Sequence, residues 1–263
     1  FLFADPVGMS VTNAFFESFS GLTTTGATAL VGLDSLPKAI LFYRQMLQWL
    51  GGMGIIVLAV AILPLLGVGG MQLYRAEMPG PLKDSKMRPR IAETAKTLWL
   101  IYVLMTVACA LSLWAAGMTP FDAIGHSFST VAIGGLSTHD AGLGFYNSSL
   151  INNITAVFLF IAGCNFGLHF AVLSGRSIKV YWRDPEFKMY FFIQVILIAI
   201  CALVLWRQNT YGSLFDSLNQ SFFHVISVTT TTGSSTEAVA DWPLFLPVML
   251  LIATFIGGCA GST

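Results

Sequence analysis

Stretches of about 20 apolar residues dominate this chain, and in helical form each can cross the roughly 30 Å hydrocarbon core of a bilayer. Five reach or nearly reach that length, at roughly 45–66, 97–117, 150–173, 187–206 and 242–260. Three more are apolar but too short to cross, at roughly 10–22, 120–132 and 213–228. Each short run leads at once into a Thr/Gly/Ser cluster, then a polar loop, then a long run. Short helix, polar turn and return is the order of a re-entrant loop. Irregular backbone of that kind survives at membrane depth only inside protein or beside a watery cavity. The expected fold class is an all-α polytopic membrane protein.

Composition closes off the soluble alternative. Asp, Glu, Lys and Arg make up 10% of the 263 residues, where about 25% is usual for soluble domains. Thirteen basic residues balance thirteen acidic ones, so there is no general electrostatic case for nucleic acid as a partner; membrane lipid is the expected surroundings. Cys109, Cys164, Cys201 and Cys259 all lie in apolar runs without metal-ligand spacing and read as inert thiols. The chain opens at Phe1 and stops at Thr263 in an apolar run. It carries no cleavable signal peptide and reads as an internal segment lacking its ends.

Orientation follows the basic residues. Arg75, Lys83, Lys86, Arg88, Arg90 and Lys96 fall in the connection 67–96, and Arg176, Lys179, Arg183 and Lys188 in or beside the next one. These connections are expected on the cytoplasmic side, with the short helices entering from outside. Asp5, Glu17, Asp34, Asp122, Asp140, Asp216, Glu237 and Asp241 lean to the outer side. There they either enrich cations at an entrance or are ordinary solvated charges.

The short runs repeat. Aligning Gly26, Gly135 and Gly233, at separations of 109 and 98, also aligns Ser20, Ser129 and Ser227 and pairs His126 with His224. Gly52, Gly163 and Gly258 then follow their loop glycines by 26, 28 and 25 residues. Two landmarks keeping step across three copies define an internal repeat. Each unit is a long helix, a short pore helix, a glycine-centred loop and a second long helix. Residues 1–66 form the first unit without its opening helix, 97–173 the second, and 187–263 the third, truncated in its last helix. The stretches 67–96 and 174–186 connect them, and a fourth unit is absent.

The loops suit a dehydrated monovalent cation, whose lost water must be replaced by oxygens from carbonyls and hydroxyls. Glycine takes the backbone angles this requires at no steric cost. The expected ion-coordinating residues are Thr24, Thr25 and Gly26 in the first loop, Ile133, Gly134 and Gly135 in the second, and Thr231, Thr232 and Gly233 in the third. The short helices aim their negative C-terminal ends at the same place. Gly51, Gly52 and Gly163 in the long helices read first as packing positions. The run Gly257, Gly258, Cys259, Ala260, Gly261, Ser262 and Thr263 is dense in helix breakers. It reads as an unwound intramembrane stretch that serves as a gate.

At these residues the chain resembles the Trk/Ktr/HKT superfamily of potassium transporters, most closely its bacterial TrkH branch. The resemblance rests on 20–28, 131–140, 229–234 and 257–263 and covers essentially the whole chain. It implies four pseudo-fourfold units around one pore, one filter glycine per unit, and a gating loop in the third unit's last helix. It also implies potassium uptake across the bacterial inner membrane, homodimers and a cytosolic nucleotide-binding regulatory subunit. Plant relatives with serine at the first filter glycine carry sodium, so Gly26 favours potassium. No cofactor is expected, and potassium itself is the substrate. A segment lacking one unit has an open-sided carbonyl ring and should not conduct alone. Two other classes remain: a non-transporting sensor or scaffold of the same fold, and an intramembrane enzyme using His126, His169 or His224. Against the enzyme, His126 and His224 sit at equivalent repeat positions and read as structural, and His169 reads as a snorkelling residue at a span's cytoplasmic end.

Overall fold

The computed structural model describes residues 8–61, 91–175, 177–236, 239–259 and 261–263. Arg75, Lys83, Lys86, Arg88 and Arg90 of the first connection lie outside the described residues, as do Asp5, Arg176, Glu237 and Ala260. Among the described residues the structure is helical, with no strand.

The short runs form helices close to their expected bounds: α1 (Val11–Leu22), α4 (Pro120–Val131) and α9 (Leu214–Thr229). A side-chain oxygen fixes each start. Ser10 accepts from the Asn13 N–H, Thr119 from Asp122 and Ser213 from Asp216. Each such cap satisfies one of the orphan donors at the helix start. Pro120 follows Thr119 at the first helical position, where its missing N–H costs nothing.

The remaining helices are α2 (Lys38–Ala61), α3 (Ile91–Ala115), α5 (Ser149–Ala162), α6 (Phe166–Leu173), α7 (Lys179–Arg183), α8 (Pro185–Arg207) and α10 (Phe245–Thr254). Within α3 the stretch Lys96–Ala115, together with α8, is long and apolar enough to cross a membrane, and α5 with α6 makes a third candidate span bent by 87°. Helix α4 packs against α2, α3 and α5, and α9 packs against α5, α8 and α10.

Two expected spans are broken. The run 150–173 is not one helix: it stops at Ala162, turns through Gly163, Cys164 and Asn165, and restarts at Phe166 with the Asn165 side chain as its cap. The run 242–260 is helical only to Thr254. Apolarity set the expected lengths, whereas glycine, asparagine and their hydrogen bonds set the observed ones. The break also corrects the reading of His169. Its Nδ1 meets the Tyr181 hydroxyl at 2.5 Å and its Nε2 meets the Ile161 carbonyl at 3.0 Å. It is buried against the broken helix and does not snorkel.

Polarity runs inward. Trp99, Leu104, Val107 and Leu111 on α3, with Phe192, Val195, Ile196 and Leu203 on α8, are exposed. Gln45, Gln48, Thr155, Gln194, Ser217 and Ser221 are buried. Lipid makes the outer surface favourable, and the interior keeps the polar groups that hydrocarbon would reject.

Candidate functional site

Each of the three short helices ends in the same turn. In the first, the N–H groups of Thr23, Thr24 and Thr25 bond back to the carbonyls of Phe19, Gly21 and Ser20. Ala132, Ile133 and Gly134 do the same to Phe128, Thr130 and Ser129, and Thr230, Thr231 and Thr232 to Ile226, Val228 and Ser227. This is a Schellman ending, whose left-handed residue is usually glycine. Here it is Thr24 (φ 55°), Ile133 (φ 54°) or Thr231 (φ 64°). A β-branched residue in that region costs about 1–3 kcal/mol and persists only where its surroundings over-determine it. Two residues on, Gly26, Gly135 and Gly233 are left-handed again, at φ 76°, 79° and 75°. With the N–H groups drawn back onto the helix ends, the loop carbonyls are left to face elsewhere.

The three loops meet. A Cβ placed on Gly26 would overlap the Gly134 carbonyl oxygen and lie 3.5 Å from that of Thr232. A Cβ on Gly135 would overlap the same Thr232 oxygen. Residues 24–26, 133–135 and 231–233 are thus brought to one place, and the C-terminal ends of α1, α4 and α9 lead into it.

Side chains outside the loops hold this arrangement, among them a buried ion pair and the two histidines expected to be structural. Glu17 on α1 and Arg44 on α2 are both buried and form an ion pair at 2.8 Å. Glu17 also accepts from the Thr28 hydroxyl at 2.9 Å and the Ala29 N–H at 2.9 Å, and Arg44 donates to the Ser137 carbonyl at 3.1 Å. Glu17 is therefore not a solvated outer charge. His126 reaches the Ser137 hydroxyl at 3.0 Å and His224 the Thr236 hydroxyl at 3.0 Å. Both equivalent histidines therefore brace the segment leaving a loop. At the surface the His139 ring bonds Asp34, which holds that carboxyl below the usual carboxylate range.

Residues 257–259 and 261–263 lie against the break between α5 and α6. The Cys259 N–H donates to the Gly163 carbonyl at 2.8 Å, and the Gly261 carbonyl accepts from Phe166 at 3.0 Å. Gly258 is close enough that a Cβ there would sit 3.1 Å from the Gly163 oxygen. The Thr263 hydroxyl donates at 2.8 Å to the carbonyl of Val131, the last residue of α4. Gly257, Gly258, Cys259, Gly261, Ser262 and Thr263 are non-helical, and Thr263 ties them to the C-terminal end of α4. Gly163 is a packing position, as expected, with a Cβ there falling 2.6 Å from the Tyr190 hydroxyl, but it ends a helix instead of lying within one. Gly51 does serve packing, facing the Leu22 carbonyl.

Together these features define a multi-pass helical membrane protein in which three polar loops meet. The chain belongs to the TrkH family of cation transport proteins, whose family profile matches residues 4–263. It is 73% identical over its whole length to the Trk system potassium uptake protein TrkH of Salmonella typhimurium, covering 54% of that protein. It is 44% identical over 257 residues to the Trk system potassium uptake protein TrkG of Escherichia coli K12, covering 98% of this chain and 53% of that protein. Its fold matches the crystal structure of the potassium transporter TrkH from Vibrio parahaemolyticus with a TM-score of 0.84 at 60% identity, over 97% of this chain and 51% of that one. The chain spans about half the length of the curated relatives it matches. The family is one of transporters, not of enzymes.

Proposed function

We propose that this chain supplies three pore units of a potassium uptake system of the bacterial inner membrane. Residues 1–66, 97–173 and 187–263 are those units, joined by cytoplasmic connections at 67–96 and 174–186. Thr24, Thr25, Gly26, Ile133, Gly134, Gly135, Thr231, Thr232 and Gly233 line a selectivity filter whose oxygens replace the water of a potassium ion. The meeting of three identically closed loops carries this reading. In each loop two left-handed residues flank a third, and the loop N–H groups bond back to the helix end, which leaves the carbonyls free to accept elsewhere. Three such loops brought together concentrate carbonyl oxygens, an arrangement that suits a dehydrated cation. Oxygen donors without a ring of carboxylates favour a large monovalent ion over calcium or magnesium. The names of the relatives, Trk system potassium uptake proteins, favour potassium. A fourth unit closes the ring, the assembly is a homodimer, and a cytosolic nucleotide-binding subunit regulates it.

Residues 257–263 form the gate. Their attachment to Gly163, Phe166 and Val131 holds them beneath the second loop. Removing one hydrogen bond of about 1 kcal/mol shifts a closed–open balance by about fivefold. In a full-length protein carrying this segment, Thr263→Val is therefore expected to raise unregulated potassium flux several-fold. Flux into proteoliposomes tests both statements. Potassium-selective flux by the purified protein supports the reading, and its absence favours a sensor or scaffold. Unchanged flux in Thr263→Val removes the gate assignment.

A further inference from the structure

The second loop is the odd member of the three. The first and third each hold themselves with their own hydroxyls. Thr23 bonds Thr25 at 2.7 Å and Thr230 bonds Thr232 at 2.7 Å. Ser20 donates to the Ala27 carbonyl at 2.5 Å and Ser227 to that of Ser234 at 2.6 Å. In the same register the second loop has Ala132 and Gly134 where the threonine pairs stand, and its Ser129 hydroxyl has no partner among the described residues.

Helix α2 supplies what is missing. The Leu136 carbonyl, seven residues after Ser129, accepts instead from Gln45 Nε2 at 3.0 Å. Gln48 Nε2 donates to the Gly134 carbonyl at 2.6 Å, and its Oε1 accepts from the Leu136 N–H at 3.3 Å. Arg44 takes the next carbonyl, Ser137, at 3.1 Å. A Cβ on Gly134 would lie within 2.7 Å of the Gln48 Oε1 atom and closer still to the rest of its carboxamide. Gln48 thus occupies the volume where Thr25 and Thr232 carry their side chains. Gln45 and Gln48 are fully buried. On the long helices that follow the second and third loops, the matching positions are Ala156 and Leu159, and Leu251 and Thr254.

We propose that Gln48, seconded by Gln45, is a selectivity-determining positioning residue: its carboxamide replaces the side chain the second loop lacks and sets where that loop's carbonyls stand. A carbonyl has two lone pairs, so Gly134 can accept from Gln48 and still face an ion. The inference rests on the filter reading above and adds a residue outside the loops.

The test uses a full-length protein carrying this segment, with potassium and sodium uptake and folded yield measured on each variant. Gln48→Met keeps volume and loses both hydrogen bonds. It should retain folded yield and lower the preference for potassium over sodium by about tenfold, the worth of one to two hydrogen bonds. Gly134→Thr collides with Gln48 at an otherwise permissive backbone position and should stop uptake. Adding Gln48→Ala should return uptake to within about tenfold of the parent, a coupling expected of residues that share one volume. Unchanged selectivity in a folded Gln48→Met overturns the inference. So does a Gly134→Thr variant that is active with Gln48 present, or equally dead without it. If Gln48→Met fails to fold, the Gly134→Thr pair decides. Loss of selectivity in Gly135→Val beside normal Gln48 variants removes only this inference, whereas normal selectivity in both removes the filter reading itself.

Discussion

Gly135→Val abolishes selective potassium uptake in a full-length protein carrying this segment. Residue 135 has φ 79°, a region that strains a β-branched side chain by about 1–3 kcal/mol. The larger effect is steric. A Cβ there overlaps the Thr232 carbonyl oxygen, so one loop must move off the other. Oxygens that stand in for a hydration shell act only when placed to within about 0.5 Å. Uptake should therefore fall by at least about a hundredfold while the protein still assembles, because replacement donors must be in place before water leaves. Gly212 separates strain from collision. It is also left-handed, at φ 71°, but nothing lies within 4 Å of a Cβ there. Gly212→Ala should cost some stability and leave uptake and selectivity intact. Rubidium uptake with sodium competition reads both variants.

Breaking the Glu17–Arg44 pair should destabilise the protein more than any single change in the apolar helices. Arg44→Met leaves a buried carboxylate with only the Thr28 hydroxyl and the Ala29 N–H, and Glu17→Met leaves a buried guanidinium. Removing one member of a buried pair costs about 3–5 kcal/mol, whereas removing both can be nearly neutral. Both single variants should lose thermal stability in detergent, and Glu17→Met/Arg44→Met should recover much of it. Because Arg44 also holds the Ser137 carbonyl, the double variant should regain stability without regaining full selectivity. Equal stability of all three variants would show that the pair is not what fixes α1 against α2.

The short helices were legible because their signals are local. A short apolar run ending in an abrupt Thr/Gly cluster bounds each of them within a residue or two of where it lies. The breaks at 163–165 and after Thr254 were less legible. Apolar residues continue through both, and what ends the helices is a tertiary exchange of backbone hydrogen bonds between Gly163 and Cys259 and between Phe166 and Gly261. Left-handed Thr24, Ile133 and Thr231 run against the preference of β-branched residues, so no propensity argument finds them. Arg44, Gln45 and Gln48 did carry a signal: three polar residues at helical spacing inside an apolar helix must face protein, not lipid. What they grip, a loop some 90 residues away in the chain, only the fold shows.

Diffraction from crystals of a full-length protein grown in rubidium or thallium salt tests the central claim most directly. Anomalous density should appear among the carbonyls of residues 24–26, 133–135 and 231–233 and weaken when sodium replaces the heavier ion. Density absent there, or found only elsewhere along the membrane-spanning helices, would contradict the account.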